Sequence, residues 1–280
     1  MDKQQELELK AFATRIRIEQ IKEFQELGFG HVGGSLSATD LFAVLYSGVM
    51  KIDPKNPAWE ERDRLVISKG HSGPAIYATL ALCDYFPMDW LKTLNKNGTN
   101  LPSHCDRNKT PGIDMTTGSL GQGVSLAIGM ALGLKNSGKQ NRVYLLTGDG
   151  ELDEGQAWEG VIFANQHRLS NLIAFVDYNK KQLDGTTDQV SELGDIAAKF
   201  AEFGWYAQSI DGNDVVAVWN AIEDAKANQK DKPAVIVLNT VKGAGVTEVE
   251  NIELNHHIPV SSEAAERWLA ELNAKLQEVT

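Results

Sequence analysis

The chain has 280 residues, 42% apolar and 23% charged, with a formal net charge of −11. That is the composition of a globular protein with one large α/β core or two small ones, and so acidic a chain offers no basic face to nucleic acid. The two cysteines, Cys83 and Cys105, give no disulfide framework; the polar start MDKQQELELK has no signal-type apolar core, and no run approaches the ~20 apolar residues of a membrane span, so a cytoplasmic protein is expected.

Residues 5–27 place Leu9, Ala13, Ile16, Phe24 and Leu27 on one helical face, with Gly28 as the stop. GFGHVGGSLSATD reads as a glycine-rich turn and LFAVLYSGVM as an apolar helix. RLVIS is a short strand, and KGHSGPAIYATLALC a loop entering a helix. LPSHCDRNKTPGIDMTTGSLGQG is a long loop full of turn residues, followed by a buried helix, VSLAIGMALGLK. RVYLLTG, LIAFVDYN and AVIVLNTV are near-continuous apolar runs, as in parallel strands covered on both faces. The last segment opens at a serine cap and puts Ala265, Trp268, Leu269, Leu272 and Leu276 on one face. Alternating strands and helices predict a doubly wound, mainly parallel α/β sheet with helices on both faces, as one domain over 1–280. The loops 98–117 and 242–260 are long enough to be functional.

The densest chemical signal is VYLLTGDGELDEG, residues 143–155, where a strand ends in Gly-Asp-Gly and three more acids follow. A helical stretch, roughly 151–168, leads to LIAFVDYN. The crossover makes the two strands parallel, so Asp149 and Asn179 leave the same edge of the sheet, where α/β folds bind ligands. A carboxylate and an amide oxygen suit Mg²⁺, which takes few protein ligands and completes its shell with phosphate and water. Gly150 lets backbone approach a phosphate, and the helix start beyond it offers free N–H groups. The plainer reading of Asp149 is a turn residue and helix cap. GFGHVG matches G-x-G-x-x-G but follows a helical pattern rather than a strand, which speaks against a dinucleotide site. DGELDEG lacks the closing glutamate of a calcium loop, Gly160 standing in its place.

GDGELDEGQAWEGVIFANQHRLSNLIAFVDYNKKQLDG resembles the thiamine-diphosphate motif of transketolases, GDG followed some thirty residues later by Asn. FGHVGGSLSATDLFAVLY, DRLVISKGHSGPAIYATLA, LPSHCD with TTGSLGQGVSLAIGMALG, and VKGAGV with a later NHHIP are similar to that family's histidine and cofactor loops, in the family's order. The resemblance covers nearly the whole chain but only the first of the family's three domains. It therefore implies the N-terminal subunit of a split transketolase that needs a C-terminal partner, with two copies of each chain and self-association.

The resemblance also implies a site. Asp149, Asn179 and the carbonyl of Lys181 would hold Mg²⁺, with Ca²⁺ or Mn²⁺ able to substitute. Gly150, His71 and His256 would meet the diphosphate of thiamine diphosphate, Gly118 and Leu120 its ring region, and Leu183 the thiazolium side. His31, His104 and His256 would face a ketose phosphate donor and an aldose phosphate acceptor, between which a two-carbon ketol unit moves. Glu154 would point into the subunit contact, with Glu151 and Asp153 opposing a helix dipole. Three positions depart from the family pattern: Tyr178 before the metal asparagine, Val32-Gly33-Gly34 after His31, and His257 after His256. Pro259, three residues on, favours His256 over His257. His167 reads as structural, and Cys105 lacks the partners of a nucleophile. Two other functions are open to such a chain, a subunit of a 2-oxo-acid dehydrogenase and a non-catalytic assembly partner.

Overall fold

A computed structural model describes residues 1–280. In chain order the elements are α1 (Lys3–Leu27), β1 (Phe29–Gly30), α2 (Val32–Ser37), α3 (Thr39–Val44), β2 (Arg64–Ile67), α4 (Gly73–Leu82), α5 (Gln122–Asn136), β3 (Val143–Gly148), α6 (Gly155–Gln166), β4 (Leu172–Tyr178), α7 (Thr187–Val190), α8 (Ile196–Glu202), β5 (Tyr206–Asp211), α9 (Val215–Asn228), β6 (Ala234–Asn239), α10 (Thr247–Glu250), β7 (Ile258–Pro259) and α11 (Ser262–Val279). Five strands form one parallel sheet in the order β2-β3-β4-β6-β5. β1 and β7 pair antiparallel in a separate ribbon. No helix is long and apolar enough to cross a membrane.

Strand alternation divides the core into two layers. Tyr144, Leu146, Ile173, Phe175, Ile236 and Leu238 face one side and pack with Phe42 of α3, Ile76 of α4 and Val218 and Ile222 of α9. Val143, Leu145, Leu172, Ala174, Val235 and Val237 face the other, against Val124 and Ile128 of α5, Val161 of α6 and Phe200 of α8. Coverage on both faces is why β3 reads as an unbroken apolar run. Each such side chain contributes about 1.5–3 kcal/mol when fully buried, so the central strands are the rigid part from which the site loops leave.

The chain ends close on each other. Ile21 and Phe24 of α1 pack with Trp268 and Leu272 of α11. α1 starts in a capping box between Asp2 and Gln5 and stops at Gly28, whose φ of 85° suits glycine. At the start of α11 the Ser261 hydroxyl accepts from the Ala264 N–H.

Four local differences from the sequence expectation have physical causes. The glycine-rich segment after His31 is helical rather than a turn, as α2 and α3. Its glycines serve close approach: a Cβ on Gly33 would lie 2.5 Å from the Asn255 carbonyl, and one on Gly34 3.1 Å from the His71 ring. The crossover 151–168 is a short 3₁₀ turn, Gly150–Asp153, then α6, separated at Glu154 by extended backbone. The long loop 242–260 contains α10 and β7. The segment 206–228 carries no strand or helix expectation, and it forms β5, a half-exposed edge strand without an apolar run, and α9, which buries Val218 and Ile222.

α1 also carries an unpaired acid. Glu23 is 1% exposed, and neither carboxylate oxygen has a hydrogen-bond partner. Burial, with the charge of Glu19 adding to it, raises its pKa well above the carboxylate range. Because the folded pKa exceeds the unfolded one, the folded chain binds the extra proton, and stability falls as pH rises above the unfolded value of about 4.3. Glu23→Gln removes that loss, each pKa unit being worth about 1.4 kcal/mol. The variant should melt higher than the native chain at pH 8, with the gap closing toward pH 4.5; an equal gap at both pH values would show that ionisation of Glu23 is not its source.

Candidate active site

The parallel pairing of β3 with β4 sets Gly148 opposite Asp177, and the Asp149 N–H continues the ladder to the Asp177 carbonyl at 3.3 Å. Asp149 Oδ1 accepts from the Gly150 N–H at 2.8 Å and Oδ2 from the Lys180 N–H at 2.6 Å. Lys180 takes a left-handed φ of 64° to present that N–H, a conformation that costs a side-chain-bearing residue about 1–2 kcal/mol. Asn179 Oδ1 accepts from the Lys181 N–H at 3.2 Å. Asp149 is 3% exposed, and its pKa is pushed up to about 6, first by burial and then by the charge of Asp177, against the pull of its backbone donors and Lys69. It is a buried carboxylate with no basic side chain of its own.

Asp177 lies one layer deeper. Its carboxylate accepts from the Lys69 ammonium and the Thr240 hydroxyl, from Ser37 Oγ at 2.7 Å and from Asn179 Nδ2 at 3.1 Å. Burial alone would raise this acid, but the charge and hydrogen bond of Lys69, with the two hydroxyls, lower it below its usual range.

The β1–β7 ribbon brings the two ends of the chain's histidine set together. His31 follows β1 directly, and His256 and His257 precede β7. The His31 ring lies 5.7 Å from that of His71, 5.5 Å from His104, 5.3 Å from His256 and 4.8 Å from His257. Burial leads the shift of every ring that faces the cavity. His31 falls to about 4, helped by the charges of His257 and His104, and His256 to about 3, helped by Lys242. His71 and His104 are lowered as well. At neutral pH these are therefore uncharged imidazoles, each with one donor and one acceptor nitrogen. Lys242 Nζ donates to the Lys181 carbonyl at 2.7 Å and lies 3.2 Å from His256 Nδ1. It is 3% exposed and forms no salt bridge, and burial, then the charge of Lys69, lower its pKa to about 8.

These groups line one cavity of about 270 Å³. On its wall are His31, His71, His104, Gly118, Leu120, Asp149, Gly150, Asn179, Lys181, Leu183 and His256. Of the site residues that the family resemblance implies, only Glu154 lies outside it, on the exposed surface before α6. His257 is turned away, between His31 and Phe29, the latter 5.4 Å from its ring. A Cβ on Gly150 would meet the Gln182 side chain at 2.8 Å, so glycine lets that side chain pack against the backbone after Asp149. No three His, Cys, Asp or Glu side chains converge as a metal cluster. A cation here would take one carboxylate, one amide oxygen and one carbonyl from the protein and the rest from its ligand, the pattern of Mg²⁺. Away from the cavity, the Cys105 thiol is buried and pushed up to about 12, and His167 caps α6 against Phe163.

Five cavity residues have no ligand role in the sequence reading: Lys69, Gly148, Glu151, Gln182 and Lys242. Lys69 and Lys242 sit inside SKGH and VKGAG, where the neighbouring histidine and glycines drew the attention. Glu151, read as opposing a helix dipole, lies in the first turn of the segment Gly150–Asp153 and has buried partners besides. It is 2% exposed and accepts from the Ser68 hydroxyl, the Gly121 N–H at 2.8 Å and the Gly148 N–H at 3.1 Å, joining the ends of β2 and β3 to the loop that carries Gly118 and Leu120.

An open parallel sheet whose carboxyl edge gathers a buried carboxylate and an ammonium without a salt bridge under a ring of neutral histidines is where an α/β enzyme binds its ligand. Comparison with known proteins narrows the class. Residues 9–273 match the family described as transketolase, thiamine diphosphate binding domain. The chain is 51% identical over 269 residues to the 6-deoxy-6-sulfo-D-fructose transketolase subunit SqwG of Clostridium sp. (strain MSTE9), covering 96% of this chain and 98% of that one. It is 39% identical to an apulose-4-phosphate transketolase subunit of Actinobacillus succinogenes, covering 95% and 96% of the two chains. The crystal structure of transketolase from Campylobacter jejuni superposes with a TM-score of 0.87 at 29% identity, over 97% of this chain but 45% of that one. The chain belongs to the transketolase family, as the N-terminal, thiamine-diphosphate-domain subunit of a transketolase divided between two chains.

Glu151 gives the site a direct stability test. Glu151→Gln replaces one carboxylate oxygen by an NH₂ group that must face a donor, leaving a buried N–H of Gly121 or Gly148 unpaired. Such an orphan costs about 1–3 kcal/mol, so the urea midpoint should fall accordingly; an unchanged midpoint would show that the three bonds do not hold the loop.

Proposed function

We propose that the cavity holds thiamine diphosphate through Mg²⁺, with Ca²⁺ or Mn²⁺ as substitutes, and that residues 1–280 act as one cofactor-binding domain. The observation that carries this reading is the pair of mismatched charges on one cavity wall: Asp149, a buried carboxylate without a basic side-chain partner, and Lys242, a buried ammonium without a carboxylate. A diphosphate with its divalent cation complements both. Asp149, Asn179 and the Lys181 carbonyl would take the metal. The Gly150 backbone, His71, His256 and Lys242 would take diphosphate oxygens, Gly118 and Leu120 would border the ring region, and Leu183 the thiazolium side.

When bound, the cofactor supplies the carbanion chemistry by which a two-carbon ketol unit leaves a ketose. The chain's residues bind and orient around it. His31, His104 and His256, uncharged at neutral pH, each hold one N–H and one free nitrogen toward the sugar carbonyl and hydroxyls. They can therefore bond the substrate in either sense and move a proton without a charge being stored in the site. Leu120 and Leu183 are 38% and 60% exposed at the cavity, apolar surface suited to cover by the cofactor or a second chain. The glutamate that the family uses on the pyrimidine is expected from the C-terminal partner. Exposed apolar side chains on two neighbouring helices, Leu126 of α5 and Ile162 and Phe163 of α6, suit a second copy of this chain, and Glu154 stands exposed at the start of α6. The proposed assembly is two copies of each chain.

The substrates we propose are a ketose donor and an aldose acceptor that end in an anionic group. Phosphate esters fit this description, and so does 6-deoxy-6-sulfo-D-fructose, the sugar named for the 51% identical relative. Comparing that sugar with fructose 6-phosphate as donors for the assembled pair separates the two.

Two outcomes test the reading. In calorimetry with the partner present, Asp149→Ala should abolish Mg²⁺-dependent cofactor binding, while the metal-free chain still folds but melts lower because the Gly150 and Lys180 N–H groups lose their acceptor; unchanged affinity would remove Asp149 from the metal. His31→Ala and His104→Ala should lower turnover by about a hundredfold or more, the scale of a lost proton-transfer group, with cofactor affinity changed by less than tenfold. Equal loss of both would make these histidines structural.

A further inference from the structure

A metal between Asp149 and Asn179 needs the oxygen of the Asn179 amide turned toward it, and not the nitrogen. An asparagine amide is nearly symmetric in shape, and only its neighbours decide which end faces where. Here the neighbours decide twice. The Asn179 nitrogen donates to Asp177 Oδ2 at 3.1 Å, and its oxygen accepts from the Lys181 N–H at 3.2 Å. Turning the amide over would set its oxygen against a carboxylate oxygen and its NH₂ against a backbone N–H, two repulsive contacts in a residue only 7% exposed.

Asp177 can impose this orientation because it cannot itself move. It is fully buried and accepts from Lys69, Thr240, Ser37 and Asn179, donors on four separate segments of the chain. Lys69 is 1% exposed and also donates to the Gly34 carbonyl at 2.9 Å, so its ammonium is fixed from both sides. Only an ionised carboxylate accepts four donors without offering a proton in return, and Lys69 supplies the charge that keeps one ionised in the interior.

We propose that the buried Lys69–Asp177 pair is the positioning device of the metal site: Asp177 takes the Asn179 amide nitrogen and so commits the amide oxygen to the cation beside Asp149. This proposal rests on the metal reading of Asp149, Asn179 and Lys181. Neither Lys69 nor Asp177 is a ligand in it.

The test is Mn²⁺ affinity, followed by electron paramagnetic resonance titration of the assembled two-chain enzyme with thiamine diphosphate, beside thermal melts without metal or cofactor. Asp177→Asn lets residue 177 offer either a donor or an acceptor, so Asn179 is free to turn. Mn²⁺ affinity should fall about 10–100-fold, the usual effect of losing a partner that orients a ligand, and the melt should fall because Lys69 loses its charge partner. In the double variant Lys69→Met with Asp177→Asn, neither residue of the pair leaves a buried charge without its partner. Its melting temperature should recover toward native while Mn²⁺ affinity stays low. Recovery of both would make the pair merely structural and overturn the proposal, as would an Asp177→Asn affinity within twofold of native.

A measurement on the native protein stands if the variants fail to fold. With ¹⁵N-labelled asparagine, the Asn179 side-chain NH₂ protons should exchange slowly even without metal, and exchange at the rate of an exposed amide would overturn the proposal. Failure of the native enzyme to bind Mn²⁺ at all would sink the metal reading itself, whereas tight native binding with an indifferent Asp177→Asn would sink only this inference.

Discussion

Everything in the site depends on the parallel pairing of β3 with β4. That pairing is what delivers Asp149 and Asn179, thirty residues apart, to neighbouring strand ends on one edge of the sheet. It is held by apolar side chains on both faces, so its register is fixed by the same alternation that builds the core. A one-residue slip would turn Tyr144 and Phe175 out of one layer and carry Asp149 away from the Lys180 N–H. The site is thus precise because it is an end of the core.

Charge is handled in layers around that point. In the innermost layer Lys69 and Asp177 neutralise each other and take up the surrounding hydroxyls. The next layer, at the cavity wall, leaves Asp149 and Lys242 without mutual contact, each shifted toward its neutral form by burial. Outside these stand His31, His71, His104 and His256, each lowered by burial and uncharged at neutral pH. A polar interior of this kind is costly to fold when its charges are unmatched. The arrangement is understandable if a ligand carrying both signs restores the balance.

Much of this was readable in the sequence because it lies in short-range patterns. The apolar runs gave β3, β4 and β6, and GDG with a later Asn gave the Asp149 and Asn179 pair at neighbouring strand ends. The GDG motif and the histidine and cofactor loops, by resemblance, gave eleven of the residues that line the cavity. What escaped depends on three-dimensional packing. Glu151 looks like any acid at a helix start until Ser68 and the Gly121 loop close over it. Lys69 and Lys242 look like surface lysines, since nothing in SKGH or VKGAG shows that their ammoniums end in the interior. β5 is too exposed to leave a periodic signature. The helical character of the segment after His31 was hidden by glycines that are there for close contact with Asn255 and His71 rather than for turning.

The proposed function would place one divalent ion at these two strand ends, held by Asp149 and Asn179 together with the cofactor's diphosphate. Crystals of the two-chain enzyme grown with thiamine diphosphate and Mn²⁺ test it most directly, by anomalous scattering at the manganese edge. A single strong peak is expected about 2.0–2.3 Å from Asp149, Asn179 and the Lys181 carbonyl, with Lys242 displaced from that carbonyl toward the diphosphate. A peak elsewhere in the cavity, or cofactor bound in full with no metal peak between Asp149 and Asn179, would contradict it.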